Sequence, residues 1–221
     1  MSIPSSFELY SFWRTSATYR VRVALNFKGI TAQEHFVNLD AGDQRSAPFL
    51  KINPLGAIPA LIEQGQAPIT QSLAILEFLE EYQPNPPLLP GDLHGRARVR
   101  SLAGMLASDT HPLITPRVKK YLTTVIGFDD AAWKAWLVQW FGVGLSAVEH
   151  RLSNEAQTGQ FCHGNHVTMA DICLASIIAV TRVLKVPIPN IPIIDRVVAN
   201  CDQHPAFQKA EPSRQQGAPT T

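Results

Sequence analysis

The sequence predicts two domains, an α+β unit of order βαβ–ββα followed by an all-helical unit. Three observations carry that prediction. Short apolar segments of strand character occur only before residue 70. The run Gln83-Pro84-Asn85-Pro86-Pro87-Leu88-Leu89-Pro90 then supplies four prolines; each fixes φ and removes a backbone donor, so the run reads as a stiff linker. Beyond it apolar residues recur only at helical spacing. A length of 221 residues suits two such units better than one or three.

Taken in order, Phe7 to Tyr10 reads as a strand, and the polar turn Ser11 to Thr18 leads into a helix with Val21, Ala24 and Leu25 on one face. Gly29 ends that helix. His35 to Leu39 is expected as a second strand and Ala60 to Glu63 as a third, with Gly65-Gln66 closing a hairpin onto Ala67 to Ile69. Ser72 is a good N-cap type for a helix carrying Leu73, Leu76, Leu79 and Tyr82. The expected boundaries are 5–83 for the first domain, 84–92 for the linker, 93–210 for the helical domain and 211–221 for a flexible tail. In the helical domain, Trp133, Trp136, Leu137, Trp140, Phe141 and Gly144 form one stripe. Ala170, Cys173, Leu174, Ile177, Ile178 and Thr181 form another.

Hydrophobic residues make up 45% and charged residues 17%, with a formal charge of +1 from 19 basic and 18 acidic side chains. This balance offers no electrostatic footprint for nucleic acid or an anionic membrane. No apolar run reaches the ~18 residues of a membrane span, and the first ten residues do not read as a signal peptide, so a cytoplasmic protein is expected. Cys162, Cys173 and Cys201 lack metal-ligand or Cys-x-x-Cys spacing, so no metal is expected and packing is their expected role.

Several residues suggest an anion site. Arg14, Thr15, Ser16 and Thr18 precede a helix, where free N–H groups and the dipole favour negative charge. A thiolate held there would be stabilised; the same hydroxyls also serve as plain helix caps. Gln71-Ser72 poses the same pair of readings, carboxylate binding or capping. Ile58-Pro59 before a strand suggests a turn, cis in one reading, that leaves the Ile58 backbone open to an extended peptide.

In this order these features resemble the glutathione transferase family, and more narrowly its zeta class. The resemblance covers nearly the whole chain. It is carried by Arg14-Thr15-Ser16-Ala17-Thr18-Tyr19-Arg20-Val21-Arg22-Val23-Ala24-Leu25, by the run from Thr70 to Glu81, and by Val167-Thr168-Met169-Ala170-Asp171-Ile172-Cys173-Leu174. It implies a thioredoxin-like first domain, a helical second domain, glutathione as cofactor and a homodimer. It also implies isomerisation of maleylacetoacetate or maleylpyruvate in the breakdown of aromatic amino acids or aromatic acids.

Position by position, the resemblance assigns Thr15 and Ser16 to thiol activation, with Ala17 replacing the usual cysteine and removing a covalent role at the turn. Ile58 and Pro59 match the segment that pairs with the cysteinyl backbone of glutathione, Gln71 and Ser72 the pair that holds its γ-glutamyl carboxylate, Gln44 a contact to its glycyl end, and His111 a further contact. Arg14, Arg182 and Arg117 are implied as ligands of a dianionic substrate, since the guanidinium fork suits carboxylates. Thr168 and Asp171 match a structural capping box. The chain departs from the family at Ile114-Thr115-Pro116-Arg117, at Ala175-Ser176-Ile177 and at Val183, all positions tied to the second substrate. The alternative is therefore a general glutathione S-transferase that leaves glutathione attached to a haloacid, epoxide or aryl halide.

Overall fold

The computed structural model describes residues 6–219. The first residue of the expected first domain, residue 5, and the last two of the expected tail, 220 and 221, lie outside that range. The chain divides into two compact units: residues up to Pro87 together with those from His204 onward, and Leu88–Gln203.

The first unit is built on β1 (Phe7–Ser11), α1 (Ser16–Phe27), β2 (Ala32–Phe36), α2 (Ala47–Ile52), β3 (Ala60–Glu63), β4 (Ile69–Thr70) and α3 (Ser72–Tyr82). The sheet order is β2-β1-β3-β4. β1 runs parallel to β2, as the crossover helix α1 requires, and antiparallel to β3, which pairs antiparallel with β4. In β1 the alternate residues Phe7, Leu9 and Ser11 are buried, the period-2 pattern of a strand with one face in the core. β2 begins and ends three residues earlier than the sequence suggests. Its register is set by β1, with Phe7 opposite Ala32 and Ser11 opposite Phe36. Glu34 on this polar strand accepts from Arg22 Nη2 at 2.8 Å and from Ser11 Oγ at 2.7 Å.

Ten residues of α1, Ser16 to Leu25, are buried. It packs against α3 and against a later helix, α9 (Pro205–Ala210). Asn26 donates to the Ala206 carbonyl at 3.2 Å, and the Phe27 and His204 rings lie 5.3 Å apart. At the end of α1, the buried Lys28 ammonium donates to Glu80 Oε2 at 2.8 Å and to the Gln83 and Pro86 carbonyls at 2.6 and 3.0 Å. All three ammonium protons are thereby satisfied, which is the condition for burying such a charge. The residues after α9 were expected as tail. They form a 3₁₀ turn at Pro212–Arg214 with Pro212 buried.

The second unit contains α4 (Leu93–Gly104), α5 (Pro116–Tyr121), α6 (Asp130–Asn154), α7 (Met169–Leu184) and α8 (Pro192–Gln203). After α4 the backbone goes on as a π-helical turn over Met105–Thr110 and a 3₁₀ turn over His111–Ile114. Pro112 sits in the first turn of that 3₁₀ segment, where its missing N–H leaves no bond unmade. α6 approaches this π-helical turn closely, since a Cβ at Gly144 would meet Thr110 Oγ1 at 2.2 Å. Asp171 holds the start of α7: it accepts from Thr168 N at 2.8 Å, Thr168 Oγ1 at 2.7 Å and Cys162 N at 2.7 Å. Burial nonetheless keeps its carboxyl above the usual aspartate range.

Candidate active site

The first unit gathers several of the expected residues at one end of its sheet. Tyr10 in β1 lies opposite Ala60 in β3, and Ala60 lies opposite Thr70 in β4. The turn after β1, the segment entering β3 and the residue following β4 therefore share that end of the sheet. These are Thr15-Ser16, Ile58-Pro59 and Gln71-Ser72.

Thr15 is the N-cap residue of α1 but makes no capping bond. Its hydroxyl pairs instead with Thr18 Oγ1 at 2.7 Å. Ser16 is the first residue of α1 and buried, and Ser72 is likewise the first residue of α3 and buried. Ser72 is thus not the N-cap that its residue type suggests. That position belongs to Gln71, a non-glycine residue at φ 70° and ψ 115°. Neither helix carries an acidic residue in its first turn, so the positive end of each dipole is left for an external anion.

Ser16 and Ser72 are joined by a residue for which the sequence had suggested no role. Arg20 donates from Nη2 to Ser16 Oγ at 2.8 Å and from Nη1 to Ser72 Oγ at 2.8 Å. The i, i+4 spacing of Ser16 and Arg20 was visible in the sequence. The link to Ser72 across 52 positions was not.

The Ile58–Pro59 peptide is cis. Gln44 lies in a 3₁₀ turn, Asp43–Arg45, and its Oε1 is buried without a hydrogen-bond partner among the described residues. The Gln44 carbonyl lies 2.9 Å from where a Cβ on Gly56 would stand, and Gly56 has φ +62°. Glycine there lets this turn pack on the segment leading to Ile58. Arg14 is partly exposed, paired to Asp40 at 2.5 Å and held over the Phe12 and Trp13 rings at 5.2 and 5.6 Å.

The remaining expected residues lie in the second unit. His111 begins the 3₁₀ turn, Arg117 is exposed on α5, and Arg182 near the end of α7 pairs with Asp202 of α8 at 3.1 Å.

Residues 5–81 match the family model for the N-terminal domain of glutathione S-transferase. A maleylpyruvate isomerase from a Ralstonia species is 37% identical over 94% of this chain and 98% of its own. The crystal structure of a maleylacetoacetate isomerase from Methylobacterium extorquens AM1, with bound malonate and glutathione, is 46% identical. It superposes with a TM-score of 0.94, covering 96% of this chain and all of that one. The chain belongs to the zeta-class glutathione transferase family. The holo structure of a maleylpyruvate isomerase, described as a bacterial zeta-class enzyme, agrees, with 36% identity and a TM-score of 0.92 over 96% of this chain and 100% of that one. As in other zeta-class glutathione transferases, a thioredoxin-like domain with a four-stranded mixed sheet is followed by a largely helical remainder. No helix among the described residues is long and apolar enough to cross a membrane.

Proposed function

We propose that this zeta-class glutathione transferase is a glutathione-dependent cis–trans isomerase of maleylacetoacetate or maleylpyruvate. The observation that carries the reading is the end of the sheet at which two helix N-termini, each opened by a buried serine and without an acidic residue in its first turn, stand beside a cis-proline segment. The donor set fits a peptide with an anionic end and a thiol. Ser72 at the dipole of α3 suits the γ-glutamyl carboxylate, with Gln71 beside it. The Ile58-Pro59 segment suits the cysteinyl backbone, and the unpartnered Gln44 Oε1 suits an N–H of the glycyl end. In this reading His111 makes a further contact to glutathione.

The chemistry glutathione supplies when bound is a thiolate that adds to the cis double bond of the diketo acid and leaves after the carbon–carbon bond has turned. The turn at Thr15 and Ser16, with the N-terminus of α1 behind it, holds that sulfur ionised near neutral pH. Arg14 and Arg182, with Arg117 as a third, bind the two carboxylates and stabilise the charge that develops on the substrate carbonyl oxygen. The structure of the Methylobacterium relative holds both malonate and glutathione, and malonate, a dicarboxylate, supports a dianionic substrate over a neutral electrophile.

The test is ultraviolet-followed isomerisation of both diketo acids with and without glutathione, beside conjugation of an aryl halide. Fast isomerisation that requires glutathione is expected; conjugation without isomerisation would shift the assignment to a general transferase. The working form is proposed to be a cytoplasmic homodimer. Sedimentation is expected to give about twice the 24.3 kDa of one chain, and a monomer at every concentration would refute it.

A further inference from the structure

Arg20 is 1% exposed, and Ser16 and Ser72, to which it donates, are 2% and 6% exposed. A guanidinium has only donors. Each serine oxygen therefore commits a lone pair to Arg20, and each serine proton must point to some other acceptor. The serines open α1 and α3, whose dipoles favour an anion in front of them. Hydroxyls that are free to rotate would divide their time between accepting and donating. These two are held as donors.

We propose that Arg20 is a positioning residue that orients Ser16 and Ser72 together, so that the thiol end and the γ-glutamyl end of the glutathione site are fixed by a single buried fork. The inference rests on the glutathione-binding reading above. The geometry adds a charge effect. A carboxylate on Ser72, or a thiolate at the turn, stands one hydroxyl away from a cation that solvent does not screen, which favours the ionised form of both. Lysine cannot reproduce this, because one ammonium nitrogen lacks the planar fork that reaches two acceptors in fixed directions.

The test compares wild type with Arg20→Lys by calorimetric titration of glutathione, by the ultraviolet thiolate band of bound glutathione against pH, and by melting temperature. Loss of an oriented, charge-assisted contact is expected to weaken glutathione about 10- to 100-fold. The bound thiol is expected to titrate about one unit higher. Activity lost at neutral pH should then be partly restored at higher pH. A variant that melts earlier yet binds glutathione with wild-type affinity and an unchanged thiol titration would show Arg20 to be structural only, and would overturn the proposal.

If Arg20→Lys does not fold, Ser72→Ala decides. A serine relaying Arg20 must, when removed, raise the thiol titration as well as weaken binding; weaker binding with an unmoved titration refutes the coupling. Wild type that fails to bind glutathione overturns the functional reading and this inference with it. Wild type that binds, with variants indistinguishable from it, overturns the inference alone.

Discussion

Arg14 and Arg182, the proposed ligands of the substrate carboxylates, each already hold an ion pair. Each is paired with one aspartate, Asp40 at 2.5 Å and Asp202 at 3.1 Å, and each is at least one-third exposed. Such pairs are worth about 0–1 kcal/mol, so under the proposed reading a substrate carboxylate would displace the aspartate at little cost, and removing the arginine should barely touch stability. Arg182→Ala is therefore expected to keep its melting temperature while raising KM for the diketo acid about 10- to 100-fold, the scale of a lost hydrogen bond to a charge. Conjugation of a neutral aryl halide should be unaffected. Equal losses on both substrates would remove Arg182 from the carboxylate-binding role. Gln71 makes the complementary point about the backbone. A side chain held at φ 70° costs about 1–3 kcal/mol, and a glycine would relieve that cost. Glutamine there fits a site where the side chain is needed more than the stability.

At the scale of elements, the sequence was legible where local chemistry decides and opaque where partners are distant. Gly29 at φ +68° ends α1 as its residue type demands, and the third strand runs from Ala60 to Glu63 as expected. The long stripes from Trp133 and Ala170 are α6 and α7. The second strand was misplaced because His35 to Leu39 is the more apolar run, while the true β2, Ala32–Phe36, is polar. An edge strand is specified by backbone pairing to β1 and by the reach of Arg22 to Glu34, neither of which periodicity records. The π-helical and 3₁₀ turns from Met105 to Ile114 were missed for a related reason. Proline disrupts an α-helical ladder, but a register change upstream accommodates it. Ser72 has the residue type of an N-cap, but Gln71 holds that position, and Arg20, 52 positions away, donates to the Ser72 hydroxyl.

At the scale of the whole chain, the sequence order of domains conceals a return. α9 follows α8 directly, yet it completes the first unit: Ala206, Phe207 and Ala210 are buried, and the helix packs on α1. The composition after Ala210 suggested a loose end, but Pro212 is buried, and Gln215 donates from Nε2 to the Lys209 and Glu211 carbonyls, both at 2.9 Å. Because α1 carries Thr15, Ser16 and Arg20 at its start, the proposed glutathione site depends on packing supplied from the far end of the chain. Large-to-small truncation of a buried phenylalanine costs about 3–5 kcal/mol, a substantial share of the ~5–15 kcal/mol that holds a typical domain together. A chain ending at Gln203 is thus expected to retain most of its helical circular dichroism but to lose glutathione binding, with the first unit melting at least about ten degrees lower. Phe207→Ala should fall between that chain and wild type. Calorimetric titration and thermal melts of the three proteins decide it: undiminished glutathione affinity in the shortened chain would mean that α9 merely covers α1, and that the first unit is complete at Pro87.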